Sequence, residues 1–162
     1  MRRKDREVTD FARKLAIIDE CPIIHLGLAD EPYPYLVTVN FAYKVENGQV
    51  YFYIHGAKAG RKYELMQKNK KCAFFMEVNE GIKTMPEKKD CTTIYRSVAG
   101  SADIEFMEGD DAFEAAKLCM ARYPETEKAP YNLASVPHTC FARLKVVELN
   151  GKANPGKPDI LE

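Results

Sequence analysis

The sequence predicts a mainly β (α+β) domain, an antiparallel barrel of six to seven strands with about three helices packed at its ends. Three observations predict it. Strand-like runs succeed one another through tight turns and not through βαβ crossovers. Asn47-Gly48 stands between two of these runs, and both residues accept the positive φ of a tight hairpin. Helical patterning is confined to three segments, and a run of antiparallel strands removes its edges by closing.

The elements follow in order. Glu7 to Ile18 predicts a helix, with Val8, Phe11, Ala12 and Leu15 on one face. Pro22 to Leu28 predicts a strand, and a turn at Asp30–Pro34 leads into a second strand, Tyr35 to Val45. Val37, Val39, Phe41 and Tyr43 alternate onto a core face; Leu36, Thr38, Asn40 and Ala42 take the other. The polar pair Thr38 and Asn40 therefore faces either solvent or a ligand. After the Asn-Gly turn, Gln49 to His55 returns antiparallel, with Val50, Phe52 and Ile54 on one face and Tyr51, Tyr53 and His55 on the other. Residues 56–60, rich in Gly and Ala, break the strand, and Arg61 to Lys68 predicts a short helix.

Cys72 to Val78 predicts the next strand, and the polar span Glu80 to Cys91 an exposed loop or ragged hairpin. Thr92 to Ala99 and Ser101 to Met107 form a long strand interrupted at Gly100. Gly109 to Tyr123 is the strongest helix, with acidic residues at its start and Lys117 and Arg122 towards its end. Pro124 to Pro137 reads as a long loop, Thr139 to Leu149 as the last strand and Asn150 to Glu162 as a tail. The chain of 162 residues thus suits a single domain, 1–150, followed by a tail, 151–162.

Composition narrows the function. Lys plus Arg and Asp plus Glu number 24 each, which excludes the basic surface of a general nucleic-acid binder but leaves room for a local anion site. The charged start MRRKDREV lacks the apolar core of a signal peptide, and no apolar run approaches the ~20 residues of a membrane span. A cytoplasmic location is expected. The five cysteines, at 21, 72, 91, 119 and 140, are odd in number and unpaired in spacing, as expected of reduced, mostly buried thiols and not of disulfides or zinc. His25, His55 and His138 are far apart, and no metal is expected.

The chemistry concentrates in VYFYIHGAKAGRK, residues 50–62. Arg61 and Lys62 open a helix whose first N–H groups and dipole favour an anion. Arg61 offers a planar fork and Lys62 a point charge, while Gly60 lets backbone approach a ligand. Alone, the pair reads sooner as ordinary solvated helix residues, since basic pairs are common. Thr38 and Asn40 on the hairpin feeding that helix add a polar edge on which a flat heteroaromatic ligand could lie, its phosphate reaching Arg61 and Lys62.

RRKDREV, PYLVTVNFAY (34–43), VYFYIHGAKAGRK and YRSVAGSADI (95–104) occur in the order found in the pyridoxamine 5'-phosphate oxidase-like split-barrel superfamily, and the chain most resembles its nitroimidazole-resistance (Nim) branch. The resemblance runs from Arg2 to about Lys152. It implies a split-barrel homodimer with FMN at the subunit interface. It assigns phosphate and ribityl contacts to Gly60, Arg61, Lys62 and the Tyr53, Ile54, His55 segment, and ring-edge contacts to Thr38, Val39 and Asn40. Tyr95 and Ser97 are implied near or across the interface. His55 matches the histidine that this branch keeps beside the flavin, where it either contacts substrate and moves a proton or serves structure. Ala42 replaces a glycine common in the family, and no signature of a pyridoxal-phosphate substrate site is present. The function expected from the resemblance is an FMN-dependent oxidoreductase, with NAD(P)H or another donor and a nitro compound or quinone as acceptor. A non-catalytic flavin or haem binder and an empty-site interaction module are the alternatives. Nitroimidazole resistance is a family-level association.

Overall fold

The computed structural model describes residues 3–123, 125 and 132–154. The chain gathers into two compact units. One comprises the described residues of Met1–Cys21, Phe75–Ala99 and Leu149–Glu162; the other comprises those of Pro22–Phe74 and Gly100–Glu148. The strands are β1 (Glu7–Val8), β2 (Ile24–Leu28), β3 (Tyr35–Val39), β4 (Phe41–Glu46), β5 (Gln49–Ala57), β6 (Lys71–Met85), β7 (Asp90–Met107) and β8 (Thr139–Asn154). The α-helices are α1 (Phe11–Glu20), α2 (Arg61–Asn69) and α3 (Gly109–Ala121).

In the second unit the strand order is β3-β2-β6-β7-β8-β5-β4, with antiparallel pairing of β2 to β3, β4 to β5 and β5 to β8. The end strands β3 and β4 are separated in the chain by Asn40 alone. The sheet is open in its pairing order while its two ends are joined through one residue, an arrangement consistent with the predicted split barrel. Seven strands lie on this path, and β1, paired with the far end of β8, makes eight.

The interior of the second unit is aromatic and aliphatic. Phe52 stacks edge-on with Phe41 at 5.7 Å and with Phe74 at 5.1 Å, favourable arrangements for ring quadrupoles. Val50, Phe52 and Ile54, predicted to share one face, are all buried. The outer face of β5 is also covered: Tyr53 packs against Ala112, Ala115 and Ala116 of α3, whose small side chains let the helix lie close to the sheet. Asn47 (φ 51°) and Gly48 (φ 80°) make the predicted hairpin turn, leaving Glu46 opposite Gln49.

Several boundaries differ from expectation, each for a local reason. The first helix begins at Phe11 because the Asp10 side chain accepts the Arg13 N–H at 2.8 Å and caps it. Glu7 and Val8 pair instead with Lys152 and Gly151. The helix buries Ile17 and Ile18, while Phe11 and Ala12 are exposed. The expected Tyr35–Val45 strand breaks at Asn40, where the Tyr123 hydroxyl accepts the Phe41 N–H at 2.9 Å and lies 2.9 Å from the Pro22 carbonyl. On the predicted polar face Ala42 is buried, because α3 covers it.

The polar span 80–91 is two strand ends joined by a 3-10 turn at Pro86–Lys88. Gly100 does not interrupt β7; a Cβ there would lie 1.8 Å from the Glu148 carbonyl oxygen, so glycine permits close strand approach. Of the predicted loop, residues 124–137, positions 124 and 126–131 lie outside the described residues, and Leu133–His138 is a 3-10 helix. Of the predicted tail, Asn150–Asn154 extends β8, and 155–162 lie outside the described residues. No described helix is long and apolar enough to cross a membrane.

Candidate functional site

The start of α2 is built as a cationic, uncapped helix end. Gly60 is its N-cap, at φ +87°, a left-handed conformation that strains any residue with a Cβ. No side chain caps the helix, and the Glu64 N–H is the first to reach back, to the Gly60 carbonyl. The preceding amides of the first turn have no such intrahelical acceptor.

The two cations behave differently. The Arg61 guanidinium pairs with Asp30, Nε to Oδ2 at 2.8 Å and Nη2 to Oδ2 at 2.7 Å, and lies 5.0 Å from the Tyr35 ring centroid. That pairing, chiefly by hydrogen bond, holds the Asp30 carboxyl below its ordinary range. Arg61 is thereby aimed, yet its side chain stays 60% exposed. Lys62 is half-buried and folds back over the sheet. Its Nζ lies 2.6 Å from where a Cβ on Gly56 would stand. The missing side chain of Gly56 thus makes room for the ammonium, in a small cleft also bordered by His55, Tyr63 and Cys140.

His55 stands opposite Phe141 in the β5–β8 register, with ring centroids 5.9 Å apart. The residue is exposed, yet desolvation by nearby atoms, followed by the charge of Lys62, holds the imidazole below its ordinary pKa. His55 is therefore neutral at neutral pH. By NMR titration it should protonate below about 6.5, the usual imidazole value. Because the unfolded state then binds the proton more readily, the contribution of His55 to stability is full above that value and is lost as pH falls. Lys62→Ala should move the titration back towards the ordinary value without reaching it, since desolvation remains. An unmoved titration would contradict the placement of Lys62.

The remaining predicted residues fall as follows. Thr38 and Asn40 are exposed and Val39 is buried. Thr38 sits opposite His25, with Nδ1 and Oγ1 2.9 Å apart. Asn40 and His55 border one cavity of about 300 Å³ beside α3. The side chains of Tyr53 and Ile54 are buried; Tyr53 is 4% exposed, so it meets α3 and not solvent. Tyr95 and Ser97 belong to the other unit. There Ser97 is buried, and Tyr95 lies under Lys152 at 5.4 Å. Burial opposes ionisation of Tyr95, but hydrogen bonds from Lys152 and Arg6 help to outweigh it and lower its pKa. Among the cysteines, all of them described residues, only Cys91 is exposed, and none forms a disulfide. Burial pushes the Cys72 and Cys119 thiols up to about 12, so both are protonated, as expected of packed thiols.

A family model described as pyridoxamine 5'-phosphate oxidase matches residues 11–153. The chain belongs to the pyridoxamine 5'-phosphate oxidase family. No curated protein matches it. Among solved structures it is similar to a candidate 5-nitroimidazole antibiotic resistance protein from Bacteroides thetaiotaomicron, at 23% identity and TM-score 0.77 over 90% of this chain and 85% of that one. It is also similar to the flavocytochrome Anf3 from Azotobacter vinelandii, at 22% identity and TM-score 0.74 over 98% and 73%. The FAD and heme binding protein from Mycobacterium smegmatis is similar at 16% identity and TM-score 0.77 over 95% and 76%. At these identities the likenesses establish a shared fold.

In this member of the pyridoxamine 5'-phosphate oxidase family, three features of the site escaped the sequence reading. Asp30 read only as a turn residue, although an acidic residue ahead of a basic pair is a signal of sorts. Gly56 read only as a strand breaker. Phe141 and Cys140 reach the site through strand pairing with His55 and Gly56, 86 and 84 positions away, and nothing local in the chain announces that.

Proposed function

We propose that this chain is an FMN-binding flavoprotein that acts as an oxidoreductase on a small acceptor. The observation that carries the reading is the cradle at the start of α2, where Gly60, Arg61 and Lys62 present an uncapped helix end and two cations. A terminal phosphate fits it in charge and geometry. In this reading Arg61 and Lys62 hold the phosphate, and the backbone of Tyr53, Ile54 and His55 borders the ribityl chain. Thr38, Val39 and Asn40 edge the ring. Bound there, FMN supplies the electron relay between a donor such as NAD(P)H and a nitro compound or quinone. His55, neutral and unpaired by hydrogen bonds among the described side chains, can present or accept a proton at a ring nitrogen. A homodimer supplying the second wall of the site belongs to the same proposal.

The test is a comparison of FMN with riboflavin by quenching of flavin fluorescence on binding. FMN should bind at least ~30-fold more tightly, since only FMN reaches the cradle; equal affinities would remove the phosphate assignment. Asp30→Asn should tighten FMN binding several-fold, because Arg61 then faces the phosphate without a competing carboxylate. Weaker binding would mean that Asp30 serves mainly to aim Arg61.

A second reading, a non-catalytic flavin or haem binder, draws on the likeness to a flavocytochrome and to an FAD and heme binding protein and on the neutral His55 imidazole. A haem spectrum in the isolated protein would favour it.

A further inference from the structure

The opening motif RRKDREV and the Tyr95 segment supply no residue of the phosphate cradle, yet the fold brings them together. Arg6 ends the 3-10 turn Lys4–Arg6 and leads directly into β1. Antiparallel pairing of β1 with β8 sets Glu7 opposite Lys152, which brings Arg6 towards the last residues of β8. Lys152 Nζ in turn lies 5.4 Å from the ring centroid of Tyr95 on β7. Arg6, Tyr95 and Lys152 belong to one compact unit, and each is half-buried. The sheet therefore fixes where the three side chains meet.

The neighbouring cations are neutralised and these two are not. Arg3 is taken up by Asp5, Nη2 to Oδ2 at 2.5 Å, and Arg96 by Glu20 and Glu80. Among the described residues neither Arg6 nor Lys152 forms an ion pair with a carboxylate. Both donate instead to the Tyr95 hydroxyl oxygen. A guanidinium carries five N–H donors and an ammonium three, and neither can accept, so most of their donors stay open after that contact. The Tyr95 oxygen, its lone pairs given to two cations, keeps its own O–H for a further acceptor. Donors from three side chains thus converge with no carboxylate among them. Two cations gathered at one oxygen also repel each other, and an anion between them offsets that cost.

We propose that Arg6, Tyr95 and Lys152 bind a dianionic phosphate group, free or as a monoester, with residues that the cradle at α2 does not share. The planar fork of Arg6 takes two phosphate oxygens, the Lys152 ammonium takes a third as a point charge, and Tyr95 donates its O–H. Two cations match a dianion, so a phosphodiester, with a single charge, is held less tightly. The site gives the opening motif a use that the cradle leaves unassigned. It does not rest on the flavoprotein reading.

The test is titration of tyrosine-labelled protein with inorganic phosphate, ribose 5-phosphate and dimethyl phosphate, followed by carbon NMR of the tyrosine rings. The Tyr95 signal is assigned by its loss in Tyr95→Phe. It should shift saturably with inorganic phosphate or ribose 5-phosphate, and dimethyl phosphate should bind at least ~10-fold more weakly. Tighter binding of ribose 5-phosphate than of phosphate identifies an ester ligand, and the reverse identifies free phosphate; either supports the site. Bound phosphate should raise the pH at which Tyr95 ionises, because a neighbouring anion disfavours the phenolate. Arg6→Ala and Lys152→Gln should each weaken binding at least ~5-fold. Lys152→Gln keeps much of the side-chain stem and decides the matter should Arg6→Ala loosen β1. The response should persist when Arg61 and Lys62 are both alanine. No saturable shift, dimethyl phosphate binding as tightly as phosphate, or wild-type affinity in folded Lys152→Gln would overturn the proposal. A response that vanishes in the Arg61 and Lys62 double variant would also overturn it, by placing the phosphate at α2.

Discussion

Replacing Arg61 and Lys62 together by alanine is expected to weaken FMN binding by about 30- to 1000-fold while leaving the protein folded. Charge-assisted hydrogen bonds contribute about 1.5–3 kcal/mol each. The exposure of Arg61 screens its share to about 0.5–1 kcal/mol, so the two contacts together amount to roughly 2–4 kcal/mol, which gives that range. The fold should tolerate the change, because neither residue belongs to the hydrophobic core. Riboflavin supplies the control: the double variant should bind FMN and riboflavin alike. Gly56→Ala is a finer version of the same experiment. Its methyl group would displace the flexible end of Lys62, so FMN binding should weaken with little loss of stability. Unchanged FMN affinity in the double variant would show that the phosphate lies elsewhere.

The largest effect on stability is expected at Gly100. A Cβ there would stand 1.8 Å from the Glu148 carbonyl oxygen, 2.8 Å from its carbon and 2.7 Å from the Phe74 ring. The first two are backbone atoms of β8 and cannot swing aside. Gly100→Ala must therefore part β7 from β8 or distort both, at a cost of about 3–5 kcal/mol. For a chain of this size that lowers Tm by roughly 10 °C or more. Gly27→Ala is the matched control, since its Cβ would meet Leu36 and Ala73 at 3.5 and 3.6 Å, ordinary contact distances. Similar melting temperatures for the two variants would contradict the strand approach at Gly100.

What was legible in the sequence was local. Asn47-Gly48 announced a hairpin because its backbone requirement is written in two adjacent residues, and both have positive φ. The start of α2 was equally plain, since Gly60 and the basic pair mark it from both sides. Long-range pairing was not legible. The chain from Tyr35 to Val45 alternates like one strand, yet it forms the two ends of the barrel, and the break at Asn40 is stabilised by Tyr123, 82 positions away from Phe41. Likewise β6 and β7 continue through polar residues that read as loop, because paired backbone compensates for weak strand propensity. At the site, the basic residues were found and their surroundings were not. Asp30 on Arg61 and Phe141 against His55 are products of the fold, and they decide how freely each group meets a ligand.

The central claim is that the cradle at Gly60, Arg61 and Lys62 seats the phosphate of a flavin. The measurement that tests it most directly is the visible spectrum of the protein as isolated, followed by identification of what heating releases. The account predicts a yellow protein with flavin absorption that releases FMN. A colourless protein that takes up neither FMN nor FAD when either is added would contradict it.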